Sequence, residues 1–146
     1  MFLPTISVRQ PWARAIIEGV KDVENRTWPC PEKYIGQTVF IHASKAPVHD
    51  DEETSPVLNA IHRARFRWPH HSPDAIQEGA LYDFKRGLAL HVGGIVGIVT
   101  ITGCVRDSAS PWAEPGSFHW LLADALCLEF HPYKGRLGFF QAEYPY

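Results

Sequence analysis

The run Val92-Gly93-Gly94-Ile95-Val96-Gly97-Ile98-Val99-Thr100-Ile101-Thr102 constrains the fold more than any other segment. It is rich in β-branched residues, whose crowding at Cβ favours extended backbone. Glycines interrupt it, and a glycine inside a strand marks a bend or a close approach by another part of the chain. A strand that curls through a small barrel needs both. The apolar stretch from Gly93 to Val99 is far too short and too glycine-rich to span a bilayer.

Further elements follow from local pattern. Thr5-Ile6-Ser7-Val8-Arg9 alternates in polarity and reads as a strand. Ala13, Ile16, Ile17 and Val20 recur at helical spacing. Pro11 suits a first turn and Gly19 a position just past the last, so a helix is predicted over 11–18. Trp28-Pro29-Cys30-Pro31 is a rigid loop, because proline fixes its own φ and restricts its predecessor. Thr38-Val39-Phe40-Ile41-His42-Ala43 is a second strand. By periodicity Phe118-His119-Trp120-Leu121-Leu122 fits helix or strand. Gly135-Arg136-Leu137-Gly138-Phe139-Phe140 closes the barrel, with glycines at its turns.

Residues of about 47–88 read as a helical excursion. Asp50-Asp51-Glu52-Glu53 precedes Ser55-Pro56, a helix-start signature with acids near the positive end of the dipole. Val57, Leu58, Ile61, Ala64 and Trp68 mark one helical face, with Arg63 and Arg67 opposite. Pro69-His70-His71-Ser72-Pro73 breaks that helix, and a second is predicted from Pro73 to Lys85. There is no internal repeat and no linker, so residues 1–146 are expected to form a single domain, long enough to bury its own core.

Composition narrows the function. Apolar residues make up 45% and charged residues 21%, an ordinary globular balance. The start Met1-Phe2-Leu3-Pro4 lacks the basic region and long apolar run of a signal peptide. Cys30, Cys104 and Cys127 are odd in number and widely spaced, which points to a reduced cytoplasm rather than a disulfide framework. Eight histidines are scattered without ligand spacing, so neither a metal nor another cofactor is expected. A net charge of −2 argues against an avid coater of nucleic acid but leaves room for a local basic face.

Gly19-Val20-Lys21-Asp22-Val23-Glu24-Asn25-Arg26 packs four hydrogen-bonding side chains directly behind a helix-ending glycine. A strand has no structural need of them, whereas a pocket for a planar, hydrogen-bond-rich ligand does. This G-x-K-x-x-E-N-R pattern, preceded by Arg9-Gln10-Pro11-Trp12-Ala13, resembles the ASCH (activating-signal-cointegrator homology) family. Ile41-His42-Ala43-Ser44-Lys45, Gly94-Ile95-Val96-Gly97-Ile98-Val99, Trp120-Leu121-Leu122 and Lys134 to Phe140 also resemble it, in family order. The resemblance implies an α+β fold: a PUA-like small β-barrel of five or six strands with flanking helices. A cleft would lie between the first helix and the barrel, and the segment near 47–88 would be a helical insertion. It also places a strand at Phe118–Leu122. The family is associated with RNA. Some members bind it, some are reported as ribonucleases, and one small subgroup deacylates an acetylated cytidine nucleoside. That subgroup carries a lysine and, three residues on, a threonine. Lys21 matches the lysine, but Glu24 stands at the threonine position and counts against the hydrolase reading.

The candidate site residues follow. Lys21 serves as a phosphate contact, or as a base if burial lowers its pKa. Glu24 accepts hydrogen bonds from a base edge or acts as acid/base. Arg26 clamps a phosphate or pairs with Glu24, which shares its strand face. Lys21 is expected at the cleft rim, with Glu24 and Arg26 further in and Asn25 on the opposite side, anchoring backbone. Gln10 lies where a strand enters the helix and can cap it, while Trp12 belongs to a core. Trp28, Trp112 and Trp120 are candidates for stacking on bases. His42, Ser44 and Lys45 end a strand at the cleft rim; a Ser-His-acid triad can be drawn there, but no G-x-S-x-G turn supports it. Arg63 and Arg67 belong to a basic, aromatic-interleaved cluster with His62, His70 and His71.

Three functions fit. The first is a module binding RNA, other single-stranded nucleic acid or a nucleotide through that cleft. It would contact two to four phosphates, with a log–log salt slope of about −1.5 to −3. The second is a ribonuclease or nucleoside amidohydrolase using Lys21 and Glu24. The third is a protein-interaction domain built on the 47–88 segment.

Overall fold

The computed structural model describes residues 1–46, 55–65 and 91–145. Its elements are β1 (Phe2–Val8), α1 (Trp12–Ile17), β2 (Val23–Arg26), a 3-10 turn (Glu32–Tyr34), β3 (Thr38–Ala43), α2 (Ser55–Arg65), β4 (Gly94–Val105), β5 (Phe118–Pro132) and β6 (Phe139–Glu143). The fold is mostly β, a six-stranded sheet ordered β2-β5-β4-β3-β1-β6. The glycine-bearing run supplies β4, the long central stave, paired with both β3 and β5.

The glycines in β4 do what the sequence suggested. A Cβ on Gly97 would lie 2.5 Å from the Leu126 carbonyl oxygen and 2.6 Å from Ile17 Cγ2. Only a glycine therefore lets α1 lie directly on the sheet. The β3 and β5 registers also shift along β4, as expected of a bent strand.

β1 runs parallel to β3, whereas the other neighbours are antiparallel. A parallel pair needs a crossover. Here α1 and β2 form it, carrying the chain over the mouth of the curled sheet to its far edge. Arg26 Nη2 of β2 donates to the Ser7 carbonyl of β1 at 2.8 Å, so the sheet curls far enough to bring β2 back to β1. The β6 ladder ends at Ile6, which leaves that carbonyl for Arg26.

The core fills the curl. Ile6 and Val8, Val39 and Ile41, Val96, Val99 and Ile101, and Trp120 point inward, capped by Ala13, Ile16 and Ile17 of α1. Each such side chain contributes roughly 1.5–3 kcal/mol by leaving water. The opposite face of the sheet carries a second cluster around Phe40, Ile95, Ala142 and Tyr144. Val57, Leu58 and Ile61 of α2 are buried with Ala15 of α1.

Several boundaries differ from the sequence reading: β1 spans Phe2–Val8 rather than 5–9, β4 spans Gly94–Val105 rather than 92–102, and two differences are larger. The segment Gly135–Gly138 is a connection, and β6 starts at Phe139. Gly138 has φ +66, a left-handed turn position that a strand cannot hold. The strand starting at Phe118 runs on to Pro132, with Asp124 at φ 54 marking its irregularity. The predicted second helix (73–85), Arg67, His70 and His71 lie outside the described residues. No helix among the described residues is long and apolar enough to cross a membrane.

Candidate functional site

The helix α1 ends where Gly19 turns left-handed at φ +75, and the chain drops into β2 along the sheet edge. Alternation along β2 then separates its side chains. Glu24 and Arg26 face the mouth of the curl. Asn25 grips the β4–β5 connection: its Nδ2 donates to the Trp112 carbonyl at 2.9 Å, and its Oδ1 accepts from the Glu114 amide at 3.0 Å. Ser110 Oγ donates to Asp22 Oδ1 at 2.5 Å. His119, opposite Asn25 on β5, accepts the Ser108 amide proton at Nδ1 and donates from Nε2 to the Glu114 carbonyl. The motif thus builds one wall of a cleft and holds the loop that builds another.

That cleft has a volume of about 530 Å³, within the roughly 300–1,000 Å³ of small-ligand sites. Its floor is Lys21, Glu24 and Arg26; its sides are Trp12 and Arg9 on one hand and Trp112 and Glu114 on the other. Pro56 and Val57 of α2 complete the rim. Both tryptophans are half-buried, leaving ring surface toward the cleft, and the Arg9 guanidinium lies 5.7 Å from the Trp12 ring centre.

Three charges interlock on the floor. Lys21 Nζ is 3.8 Å from Glu24 Oε1, and Arg26 Nη2 is 3.7 Å from Glu24 Oε2. The side chains are 4%, 12% and 24% exposed for Lys21, Glu24 and Arg26. Lys21 is the deepest, reversing the expected order, because its ammonium turns inward and donates to the Val23 carbonyl at 2.6 Å. Burial pushes the Lys21 pKa below its ordinary 10.5; Glu24, Glu114 and Asp22 oppose that, while Arg26 adds to it. Glu24 Oε2 is buried and makes no hydrogen bond. Behind it lies a void of about 10 Å³, walled by apolar side chains such as Val39, Ile101 and Trp120.

Other sequence candidates sit elsewhere. Gln10 is 1% exposed and caps α1, its Oε1 accepting from the Arg14 amide at 2.9 Å. Trp120 is 1% exposed, edge-on to Trp28 at 4.8 Å, and its Nε1 donates to the Trp28 carbonyl. It is a core residue with no face free to stack, and Trp28 is half-buried against it. Inward alternation on β5 decides this placement, which composition could not show. His42 projects from the opposite face of the sheet, fully buried. Its Nε2 donates to the Tyr133 carbonyl at 2.7 Å and its Nδ1 accepts from Ser7 Oγ at 3.0 Å. Burial lowers its pKa. His42 therefore pairs with Ser7, and Ser44 Oγ makes no hydrogen bond, so no triad forms among them. Lys45 is exposed, with its stem against Gly93, and Arg63 is exposed on α2.

Trp12, assigned to the core, does pack against both neighbouring core clusters and lines the cleft as well, while Arg9 and Glu114 in the lining were not weighed in the sequence. The spacing of Arg9 and Trp12 across a strand-to-helix corner was the available signal. Among the described residues no group of three or more histidine, cysteine or acidic side chains is arranged to hold a metal ion.

The curled six-stranded sheet is consistent with the small β-barrel of an ASCH domain, a PUA-like module. The ASCH domain model matches residues 6–135, most of the chain, and the protein belongs to that family. ASCH domains are in general nucleic-acid-binding modules. A comparison with curated proteins gave no match.

Proposed function

We propose that the cleft takes one nucleotide of a single-stranded nucleic acid, RNA in the first instance, and reads its base. The observation that carries this is the Glu24 carboxylate: buried, flanked by two cations, with one oxygen lacking any hydrogen bond. Leaving such an acceptor unmade costs about 1–3 kcal/mol or more. A base edge supplies the missing donor once the carboxylate turns toward the cleft, since carboxylates accept from exocyclic amino groups. Trp12 and Trp112 supply planar faces on either side, as single-stranded bases require. Arg9 is left to meet a phosphate.

The hydrolase reading draws on the lowered Lys21 pKa. It is the weaker one, because Lys21 is only 4% exposed and its Nζ turns inward to the Val23 carbonyl. The interaction reading needs an exposed apolar face on the 47–88 segment; in its described part, 55–65, Val57, Leu58 and Ile61 are buried.

Fluorescence anisotropy with a labelled mixed-sequence single-stranded RNA tests the proposal. Wild type binds at low salt, and Trp112→Ala weakens binding about 5- to 150-fold, the equivalent of one stacked base at 1–3 kcal/mol. Trp112→Phe retains most of the affinity. Absent binding by wild type, or unchanged affinity in Trp112→Ala, overturns it.

A further inference from the structure

The exits of three strands share one end of the sheet. Val8 of β1 pairs with Ala43 of β3, Ala43 with Gly94 of β4, and Gly94 with Pro132 of β5. Just past that row stand four exposed cations: Arg9, Lys45, Lys134 and Arg136. The segments that carry them, 7–11, 41–46 and 131–138, contain no acidic residue, nor does 91–97 where β4 enters. Among the described residues the ion pairs involve Arg14, Lys21 and Arg26 and none of these four. In a chain of net charge −2, such a row, one-signed among the described residues, is a local field that the bulk numbers conceal.

The row is continuous with the cleft. Gly135, between Lys134 and Arg136, lies against β1 so closely that a Cβ there would sit 3.2 Å from Ser7 Oγ and 2.7 Å from His42 Cε1. The same Ser7 offers its carbonyl to Arg26 on the cleft floor. One residue of β1 therefore has the cleft on one side and the Lys134–Arg136 loop on the other. Arg9, two residues along, belongs to both the cleft and the row. On the far side the Tyr133 amide donates to the Gly93 carbonyl, and Gly93 rests on the Lys45 stem. The loop is thus held between the cleft wall and Lys45 by one backbone hydrogen bond and by close glycine packing.

We propose that Lys134, Arg136 and Lys45 form a phosphate track leading out of the cleft, and that the ligand is an oligonucleotide rather than a free nucleotide. The track holds the backbone flanking the nucleotide in the cleft. This rests on the reading of the cleft as a nucleotide site.

The test compares wild type with Lys134→Ala/Arg136→Ala, both exposed positions. The probes are single-stranded RNAs of about three and about twelve nucleotides, titrated across salt. Losing two phosphate contacts makes the log–log slope for the longer RNA shallower by about 1.4 and weakens it at least about tenfold at low salt. The shorter RNA changes less than about twofold, and Lys134→Arg/Arg136→Lys behaves as wild type. An unchanged slope with the longer RNA, or equal loss for both lengths, overturns the track. If Trp112→Ala still weakens binding in that case, the cleft reading stands alone. If Trp112→Ala also has no effect, both fall.

Discussion

Glu24→Gln removes the only carboxylate within ion-pair distance of Lys21 among the described residues. Lys21 is 4% exposed, so its ammonium would remain in the protein with its main compensation gone. At 3.8 Å and an effective dielectric of about 20, the gross attraction lost is about 4 kcal/mol. Breaking a buried pair from one side typically costs about 3–5 kcal/mol. A ceiling comes from proton release: discharging a lysine whose ordinary pKa is 10.5 costs about 4.8 kcal/mol at pH 7 and about 2 kcal/mol at pH 9. Glu24→Gln should therefore destabilise the domain by about 2–4 kcal/mol at neutral pH and by no more than about 2 at pH 9.

Urea unfolding reads this directly. With a slope near 2 kcal/mol/M, the midpoint falls by roughly 1–2 M at pH 7 and by clearly less at pH 9. Lys21→Met removes the stranded charge, so in that background the same glutamine substitution shifts the midpoint far less. The reasoning is refuted if Glu24→Gln unfolds where wild type does, if its effect is equal at both pH values, or if Lys21→Met leaves it undiminished.

Three further outcomes are expected. Burial holds the His42 pKa below its ordinary 6.5, so the unfolded chain takes up that proton first as pH falls. The stability it contributes is complete above about pH 6.5 and declines below it, and urea midpoints between about pH 5 and 8 should show a shallower slope in His42→Gln. Burial and the neighbouring Cys104 raise Cys30 to about 11; at pH 8 its thiolate fraction is about 0.1%, so mass spectrometry after iodoacetamide should find the exposed Cys127 alkylated at least about tenfold faster. Asn25→Ala removes two hydrogen bonds to the β4–β5 connection; it should cost about 1–3 kcal/mol in thermal unfolding and weaken RNA binding by releasing Trp112, an effect absent if the loop holds itself.

What was legible in the sequence was whatever local pattern controls. The β4 run announced itself through β-branching, α1 through Pro11, Gly19 and its apolar spacing, and β3 at its observed bounds, Thr38–Ala43. Alternation along Val23–Arg26 correctly set Glu24 and Arg26 on one face and Asn25 on the other. What failed needed long-range contacts. Nothing local says that β6 stops short at Ile6, that Ser7 rather than Ser44 partners His42, or that Trp120 turns inward while Trp12 lines the cleft. The order of depth among Lys21, Glu24 and Arg26 depends on the Val23 carbonyl, a backbone group that has no signature in side-chain composition.

The cleft and the closure of the sheet are made by the same atoms. Because β6 ends before Ser7, the seam between β1 and β2 has no backbone ladder there and is bridged by the Arg26 guanidinium. Arg26 is in turn held near Glu24, and Glu24 near Lys21. A ladder would have closed the curl more firmly, but it would have filled the opening with backbone and left no cleft. A bridge of mostly buried charged side chains closes it without filling the opening with backbone. If the cleft is the ligand site proposed above, whatever occupies it should raise the unfolding temperature as its saturation rises.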